Sequence, residues 1–304
     1  MTANTPVAVS VIIASRNEEN RLAATVSNIC RSIPPNGQIV VIDDASTDGS
    51  VDTVHRLDPR IVVCRAPKRL GVARARNLGA RLSAGEVLVF CDAHVRTPDV
   101  WLGPLCNALK IPGVGAVGPA LVDGGEPAFR GYGLVFADLG TNLAWLERME
   151  DGPHPVPLLP GFFLAVRRPV FERIGGFDAG MRGWGMEDNE FSLHLWTRGL
   201  KCLLVPDVEV VHLRTAPAYH NDWAAGLHNI LRLGITHFTG PRLRGMLEYY
   251  AQDPTLASAL APVLDGGAVR RQQHLRAVRC RDDAWYFSTW PLAGADGSAE
   301  RNGQ

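Results

Sequence analysis

The sequence predicts an α/β fold, with a mostly parallel central sheet, helices on both faces and a helical C-terminal extension. In the first third of the chain, short apolar runs alternate four times with segments of helical periodicity, which is typical of βαβ units. Polar residues follow the ends of these runs. After residue 215 the pattern is helical. We therefore expect the polar groups to gather at the carboxyl edge of the sheet, where α/β folds bind ligands.

The elements of the first half follow from apolar periodicity and from turn residues between the runs. The predicted strands cover residues 9–14, 38–42, 61–64, 87–94 and 114–117. The predicted helices include one with Leu22, Val26 and Ile29 toward the core, one through Val51, Val54 and Leu57, and one over 71–84. Another is predicted to begin at Thr97, with Pro98 in its first turn, and to end near residue 109.

The second half begins with a segment rich in glycine and proline, over residues 118–160, which we interpret as a hairpin or a crossing loop. A strand over 162–166 and a short helix opened by Arg168 and Pro169 follow, and Gly175 ends that helix. The remaining predictions are a helix over 187–198, strands over 202–205 and 208–211, and helices over 222–233 and 241–250.

Composition narrows the class of protein and its location. The 304 residues include 31 Lys+Arg and 31 Asp+Glu, a net charge of zero that argues against a nucleic-acid or anionic-membrane binder. Six scattered cysteines without a C-x-x-C pair indicate reduced thiols. The chain starts without a secretory signal, and no run approaches the roughly 18 apolar residues of a membrane span. We expect a soluble cytoplasmic protein without a transmembrane segment, and peripheral membrane contact stays open.

One local excess of positive charge lies near the C-terminus. The favoured interpretation is a solvated helix face, and the alternative is a docking patch for an acidic partner. The arginines concerned are Arg270, Arg271, Arg276, Arg279 and Arg281.

The strand over 87–94 ends in two groups that do not belong in a core. Asp92 and His94 are two residues apart, so in extended backbone their side chains leave on the same face. A carboxylate and an imidazole at a strand end form a candidate divalent-metal site. The alternative is an exposed turn with incidental polar residues. Ligand chemistry alone leaves zinc, iron, magnesium and manganese open.

The same edge of the sheet carries further acids but lacks a phosphate-binding loop. Residues 15–18 and the pair Asp43 and Asp44 follow the first two strands. Neither G-x-G-x-x-G nor G-x-x-x-x-G-K-[ST] occurs there, which disfavours a dinucleotide dehydrogenase and a P-loop enzyme. An acidic site needs a cation to hold a phosphorylated ligand, and the candidate metal site meets that need.

Several motifs in this order resemble nucleotide-sugar glycosyltransferases of the GT-A fold, family 2 and its relatives. The resemblance covers roughly residues 9–219 and is strongest to the catalytic domain of polypeptide N-acetylgalactosaminyltransferases. Any one of the motifs is weak evidence, but the ordered set is specific. The motifs are Leu70-Gly71-Val72 through Arg76, residues 85–88, Asp92-Ala93-His94, residues 101–105, residues 176–187, and Val211-His212-Leu213-Arg214 with Pro217 and Tyr219.

The resemblance implies a role for each matching position. It implies that Asp92, His94 and His212 bind the metal, which would be Mn²⁺, with Mg²⁺ as the second candidate. It implies that Arg76 and Arg214 reach the nucleotide or its diphosphate and that Trp184 faces the sugar. The remaining donor-binding residues it implies are Ala14, Arg16, Asn17 and Asp44 around the uracil and ribose, and Asp92 and Ala93.

Glu187 and Asp188 form the second chemical centre. Their structural interpretation is an acidic helix N-terminus, which the helix dipole favours. In similar enzymes this motif faces the sugar and the acceptor, so we predict Asp188 as the base and Glu187 as a hydrogen-bonding partner of hydroxyls. The peptide-modifying enzymes carry Asn at the position of Asp188 and retain anomeric configuration. The Glu-Asp pair is instead similar to inverting enzymes, and inversion is therefore favoured over retention.

The predicted function is a metal-dependent glycosyltransferase that moves a hexose or N-acetylhexosamine from a UDP-sugar to an acceptor hydroxyl on a peptide, glycan or small molecule. The alternatives are a retaining enzyme of the same type and a catalytically silent nucleotide-sugar-binding protein. A nucleotidyltransferase is disfavoured because no glycine follows the first strand. We predict a nucleotide-binding half over 1–112, an acceptor and catalytic half over 113–250, and a C-terminal helical extension with a tail over 251–304.

Overall fold

The central sheet is built on the apolar runs that the sequence predicted as strands. The computed structural model describes residues 8–213 and 222–296. The strands of the sheet are β1 (Val9–Ser15), β2 (Gln38–Asp43), β3 (Ile61–Arg65), β4 (Val87–Asp92), β5 (Val95–Arg96), β6 (Val114–Asp123), β7 (Arg130–Gly131), β10 (His154–Pro155), β11 (Phe163–Arg167) and β12 (Lys201–His212). A separate two-stranded hairpin joins β8 (Leu134–Phe136) to β9 (Leu143–Trp145).

The strand order across the sheet is β10-β12-β6-β11-β4-β1-β2-β3, with β5 added to β12 and β7 to β6. The pairs β1–β2, β1–β4, β2–β3 and β6–β12 are parallel, while β11 runs antiparallel to both of its neighbours. Because β1, β2 and β4 are parallel and in close register, Ser15 pairs with Asp43 and Ala14 with Asp92. The carboxyl ends of three strands therefore meet at one edge, as the sequence predicted.

Helices cover both faces of the sheet, which confirms the predicted architecture. The helices in the first two thirds of the chain are α1 (Glu19–Ser32), α2 (Val72–Leu82), α3 (Leu102–Ala108), α4 (Arg168–Ile174) and α5 (Glu187–Thr197). Successive side chains of β1 alternate between the two cores, with Val11 and Ile13 on the side of α1 and α3. Ile12 points to the opposite core, which α2, α4 and α5 complete.

Two predicted helix positions are wrong. The stretch around Val54 forms only a single 3-10 turn, Val54–Arg56, rather than a helix through Leu57. The helix predicted from Thr97 begins later, at Leu102. Thr97 does not cap it, because the backbone N–H and hydroxyl of Thr97 both donate to Oδ1 of Asn28 on α1. A tertiary contact therefore competes successfully with a strong local capping pattern.

The two strands predicted around Pro206 are a single strand, β12. Its register against β6 shifts between Val205 and Glu209, so residues 206–208 form an irregularity within one strand. Proline is tolerated at such a bulge because no ladder hydrogen bond from its nitrogen is needed there. The predicted loop over 118–160 holds the second half of β6 and the β8–β9 hairpin, so the hairpin interpretation is correct.

The C-terminal part is helical, as predicted. Its helices are α6 (Trp223–His237), α7 (Gly240–Tyr249), α8 (Leu256–Asp265), α9 (Ala268–Val278) and α10 (Asp283–Thr289). Tyr286 of α10 is buried and donates to the carbonyl of Pro157 at 3.3 Å, and Trp290 lies 5.4 Å from Trp196 between ring centroids. The aromatic cluster near the C-terminus thus packs onto the core. The boundaries between the three predicted parts stay a prediction.

Within residues 8–213 and 222–296, none of the helices combines the length and apolar character needed to cross a lipid bilayer.

Candidate active site

Strand pairing brings together the three predicted metal ligands. Asp92 is the last residue of β4, and His94 immediately precedes the short strand β5. β5 pairs antiparallel with β12, which places Val95 opposite His212. The N–H of Leu213 also donates to the carbonyl of His94 at 2.9 Å. His212 therefore reaches Asp92 and His94 across a gap of more than a hundred residues in sequence.

The ligand atoms of this cluster lie close enough to share one cation. One side-chain atom from each of Asp92, His94 and His212 lies within 4.8 Å of the others. Nε2 of His212 is 3.3 Å from Oδ2 of Asp92, and Nε2 of His94 is 4.0 Å from the same oxygen. One carboxylate and two imidazoles form a mixed oxygen and nitrogen donor set that accepts several divalent metals.

Glu18 fixes the orientation of His94. Its two carboxylate oxygens lie 3.2 and 3.1 Å from Nδ1 of His94, and Glu18 itself is buried. This contact occupies one ring nitrogen and leaves Nε2 facing Asp92. Carboxylates that hold the second nitrogen of a metal-binding histidine are a common supporting feature of metal sites. The residues present therefore fit a divalent cation.

The charges in this cluster shift the pKa of two of its members. Burial opposes ionisation of Asp92, but the hydrogen bond to His212 and the charge of Arg76 outweigh it, so the pKa of Asp92 lies well below its usual range. Burial likewise disfavours the charged imidazole of His94, yet the hydrogen bond to Glu18 and the charge of Asp92 raise the pKa of His94. Asp92 is thus held as a carboxylate, which is the form that binds metal.

A cavity of about 180 Å³ lies beside the metal cluster, at the ends of β1, β2 and β4. Of the predicted donor-binding residues, it is lined by Ala14, Arg16, Asp44, Asp92, Ala93 and Trp184. Asn17 is not among its lining residues, and its Oδ1 accepts from the N–H of Thr47 at 2.8 Å. Arg214 lies outside the residues that the structure describes.

Asp44 and Arg16 are both held by backbone groups around this cavity. The carboxylate of Asp44 accepts from the N–H of Leu70 and, at 3.1 Å, from that of Gly71. Nη1 of Arg16 donates to the carbonyls of Asp44 and Ala45, at 2.8 and 3.0 Å. These bonds fix the turn after β2 against the start of α2. Recognition of a uracil by Asp44 stays a prediction.

Arg76 connects the metal cluster to the predicted catalytic pair. It is only 2 % exposed, although arginine is seldom buried without partners. Its Nη2 donates to Oδ1 of Asp92 at 2.8 Å and to the carbonyl of Gly161 at 2.7 Å, while Nη1 donates to Glu187 at 3.0 Å. Arg76 is thus a buried cation between two carboxylates, and direct contact with a donor stays a prediction.

A second cavity of about 510 Å³ adjoins the first, and the two share Asp92, Trp184 and His212 among their lining residues. Glu187 and Asp188, in the first turn of α5, line it. Sequence reasoning gave no role to several further residues of its wall, because these residues lie on distant elements and belong to no recognisable motif. These residues include Leu143 and Trp145 from β9 and Trp223 and Ile230 from α6.

Backbone hydrogen bonds orient both carboxylates of the pair. Oδ2 of Asp188 accepts from the N–H of Gly161 at 2.6 Å, and Oδ1 accepts from that of Asn189 at 2.9 Å. Oε2 of Glu187 accepts from the N–H of Gly185 at 3.1 Å. A Cβ atom at Gly161 would lie 2.9 Å from Cβ and Oδ2 of Asp188 and 3.0 Å from Nη1 of Arg76, so this contact requires glycine.

Burial gives this pair an elevated proton affinity. Burial, and then the charge of Asp188, raise the pKa of Glu187 to about 7, despite the opposing charge of Arg76. Burial also raises the pKa of Asp188, against the charge of Arg76 and the hydrogen bond from Gly161. A carboxylate with a raised pKa is a stronger base near neutral pH, which is what general-base chemistry requires.

Two family models match the parts of the chain that hold this site. The family model of glycosyl transferase family 2 matches residues 10–175, and a second model, the N-terminal domain of galactosyltransferase, matches residues 153–220. The chain therefore belongs to glycosyl transferase family 2 and is a glycosyltransferase.

Curated relatives resemble the chain along nearly all of its length. It is 27% identical over 305 residues to a probable N-acetylgalactosaminyltransferase 8 of Caenorhabditis elegans, covering 91% of this chain and 70% of the relative. It is 29% identical to polypeptide N-acetylgalactosaminyltransferase 11 of Xenopus tropicalis, covering 91% and 49%. It is also 29% identical to an inactive polypeptide N-acetylgalactosaminyltransferase-like protein 5 of Macaca fascicularis, covering 91% and 66%. The chain thus spans between about half and 70% of these relatives.

Solved structures support the GT-A fold. A crystal structure of GalNAc-T7 with UDP, GalNAc and Mn²⁺ superimposes with a TM-score of 0.75 at 21% identity, over 95% of this chain and 59% of that one. The mannosyltransferase PcManGT from Pyrobaculum calidifontis, in complex with GDP-Man and Mn²⁺, superimposes with a TM-score of 0.55 at 24% identity, over 90% and 86%. The predicted fold is therefore confirmed.

Proposed function

We propose that this chain transfers a hexose or N-acetylhexosamine from a UDP-sugar to an acceptor hydroxyl, with a divalent cation and with inversion at the anomeric carbon. The observation that carries the proposal is the cluster of Asp92, His94 and His212 between two adjoining cavities. Both solved structures named above contain a nucleotide or nucleotide sugar together with Mn²⁺. Manganese is accordingly the first candidate metal and magnesium the second.

The division of the site into two cavities supports separate places for donor and acceptor. A cation held by Asp92, His94 and His212 would offset the negative charge of the donor diphosphate and of the departing UDP. The smaller cavity, with Asp44 and Arg16, would take the nucleotide. The larger cavity would take the sugar and the acceptor, and its apolar wall at Leu143, Trp145 and Trp223 would exclude water from the reaction.

Asp188 is the proposed general base. As the acceptor oxygen attacks the anomeric carbon, the bond between that carbon and the diphosphate oxygen breaks. The acceptor proton then moves to the carboxylate of Asp188, which the N–H groups of Gly161 and Asn189 hold in place. A base opposite the leaving group suits in-line displacement and therefore inversion. Glu187, fixed by Arg76 and Gly185, would hydrogen-bond to sugar or acceptor hydroxyls.

A direct test measures release of UDP from a panel of UDP-sugars, with peptide, glycan and small-molecule acceptors, in Mn²⁺, in Mg²⁺ and in excess chelator. We expect turnover with at least one donor in Mn²⁺ and its loss under chelation. Full activity in chelator would remove the metal from the proposal. Donor binding without hydrolysis or transfer would favour the catalytically silent alternative. One of the relatives named above is itself called inactive.

Replacing Asp188 by Asn tests the base and the stereochemistry together. We expect Asp188→Asn to lower kcat by about 10²- to 10⁴-fold, the usual contribution of a general base, with little change in UDP affinity. The anomeric configuration of the wild-type product, measured by NMR, should be opposite to that of the donor. Retained configuration together with an active Asp188→Asn variant would contradict the proposed base and favour the retaining alternative.

The acceptor class and the location of the protein remain part of the proposal. Relatives named as polypeptide N-acetylgalactosaminyltransferases support a peptide hydroxyl as the first acceptor to test. The cytoplasmic location predicted from the scattered cysteines is a proposal that localisation of the tagged protein would test.

A further inference from the structure

A large groove lies outside the two cavities of the active site. It has a volume of about 1330 Å³ and lies among α2, α4 and its following loop, the middle of α6, and the start of α9. The groove and the active site use different faces of α2, because Arg76 points inward to Asp92 while Arg74 and Arg81 line the groove. Nothing in the proposed transfer reaction uses this groove.

The groove carries a surplus of positive charge from two helices. Arg74 and Arg81 lie seven residues apart on α2, and Arg270 and His274 lie four residues apart on α9, so each pair shares one helix face. All four side chains are exposed. Nε of Arg74 donates to the carbonyl of Ala179 at 2.7 Å, whereas the side chains of Arg81 and Arg270 make no hydrogen bond or ion pair with the described part of the chain.

The acids in the groove do not neutralise these arginines. Asp178 is buried and already paired with Arg232 at 2.7 Å and with Arg271 at 3.1 Å. Glu172 lies 3.6 Å from Arg168, which also lines the groove. Six arginines and one histidine line the groove against these two acids, in a chain whose formal net charge is zero, so positive charge is locally in excess.

The shape of the groove discriminates among anionic partners. It is concave, so a flat lipid surface would not reach its full set of arginines. Its phenylalanine wall residues, Phe171 and Phe177, are buried, so among the described lining residues only the imidazole of His274 is an exposed ring on which a nucleic-acid base could stack. Gly175 and Gly267 face open space, because a Cβ atom at either position would meet no atom within 4 Å. These two positions therefore leave room for a peptide chain to lie between the walls.

We propose that this groove binds an acidic, extended peptide segment of a partner protein. Arginine guanidinium groups pair with carboxylates through two parallel hydrogen bonds, and Arg81 and Arg270 offer such groups from opposite walls. The volume exceeds that of a usual small-molecule pocket and suits several residues of chain. Binding here does not depend on sugar transfer, so this proposal stands or fails independently of the proposed function.

The test measures fluorescence polarisation of labelled oligoglutamate and oligoglutamine peptides with the full chain. We expect oligoglutamate to bind, with an affinity that falls as salt rises, and oligoglutamine not to bind. Arg81→Glu combined with Arg270→Glu should weaken oligoglutamate binding by at least about tenfold. Arg276→Glu is the matched control, since Arg276 is exposed on α9 but outside the groove, and it should change affinity by less than about twofold.

Three results would overturn the proposal. Equal weakening by Arg276→Glu would show a general charge effect rather than a site. Absence of oligoglutamate binding at low salt would remove the peptide ligand. Tighter binding of phosphatidylserine vesicles or of a single-stranded oligonucleotide, lost in the double variant, would assign the groove to another class of partner. If the double variant melts at a lower temperature than the wild type, Arg81→Gln combined with Arg270→Gln replaces it in the same assay.

Discussion

Glu18 determines which nitrogen of His94 is available to a metal, because its carboxylate occupies Nδ1 at 3.1 and 3.2 Å. We predict that Glu18→Gln weakens Mn²⁺ binding by about 10- to 100-fold, since loss of a supporting carboxylate misorients the ring and lowers its basicity. Isothermal titration of the protein with Mn²⁺, in the absence of donor, measures the change. This readout does not depend on catalytic activity.

The neighbouring residue provides a matched control for that variant. Glu19 is exposed and makes no side-chain contact with the metal cluster, so Glu19→Gln changes the same charge without touching His94. Its Mn²⁺ affinity should equal that of the wild type. An equal loss in both variants would mean that net charge, rather than the orientation of His94, governs metal affinity.

The sequence identified some residues of the site and missed others, depending on whether the residue lies in a recognisable local pattern. Asp92 and His94 were predicted from their spacing at the end of a strand, and His212 was predicted from a resemblance to a family motif. The structure brings the three side chains together. Glu18 lies at the same predicted edge of the sheet, yet nothing in its local sequence indicates its partner. A contact between a helix start and a turn 76 residues later is set by sheet register, which only the folded chain displays.

Glu187 should make the stability of the metal-free protein depend on pH. Burial raises the pKa of Glu187 from 4.5 to about 7, so the folded protein holds a proton that the unfolded chain releases. The resulting stability is fully present below about pH 4.5 and is lost as pH rises through about 7. We expect the free energy of unfolding to fall across that window by on the order of 3 kcal/mol, since one pKa unit corresponds to about 1.4 kcal/mol.

Urea denaturation at a series of pH values in chelator measures this dependence. Glu187→Gln removes one titrating group and should reduce the fall between about pH 4.5 and 7, leaving the part that the raised pKa of Asp188 contributes. Glu172→Gln, on the exposed surface of α4, should leave the slope as in the wild type. A Glu187→Gln curve parallel to the wild type would assign the proton to another group.

At the scale of elements, α5, the helix that carries the proposed catalytic pair, is anchored by the C-terminal helices packed behind it. Glu190 of α5 is fully buried, and its Oε1 accepts from Nη2 of Arg271 on α9 at 2.6 Å. The same oxygen lies 2.9 Å from Nε2 of His237 on α6. Charge contacts therefore link α5, α6 and α9 beneath the active site, and they connect the position of Asp188 to helices that lie far along the chain.

We predict that Arg271→Met destabilises the protein by about 3 kcal/mol, because it leaves the buried carboxylates of Glu190 and Asp178 with less compensation. Denaturant unfolding of the variant and the wild type measures the difference. Arg270→Met is the matched control: it removes the same charge from the adjacent exposed position and should change stability by less than about 0.5 kcal/mol. Equal stability of the two variants would show that His237 and Arg232 suffice to compensate the buried acids.

Two of the errors in predicted elements share one physical cause. Local patterns predicted a helix start at Thr97 and two strands around Pro206, and tertiary contacts decided otherwise in both places. The side chain of Asn28 accepts a hydrogen bond from the Thr97 hydroxyl. β6 pairs with β12 on both sides of the bulge, so β12 continues as one strand. The elements that were predicted correctly, such as β1 and β2, have apolar side chains on both faces and therefore little freedom to change their assignment.

At the scale of the whole molecule, the sheet and the C-terminal helices share one continuous core. Buried residues from β1, α5, α6 and α10, such as Ile12, Phe191, Leu231 and Tyr286, belong to the same cluster. A segment whose apolar face completes the core of another has no independent stability to retain when that core is lost. The predicted division at residue 250 would then fall between two helices, α7 and α8, without marking a unit that folds alone.

We therefore predict that metal-free protein unfolds in a single cooperative transition. Trp101 is buried in the first half, beside Phe163, whereas Trp196 contacts Trp285 and Trp290 near the C-terminus. Variants that retain tryptophan fluorescence only at Trp101, or only at Trp196, should give the same denaturation midpoint, and both should coincide with far-ultraviolet circular dichroism. An earlier transition at Trp196 alone would show that the helices after residue 250 detach first, and would support a separately folding extension.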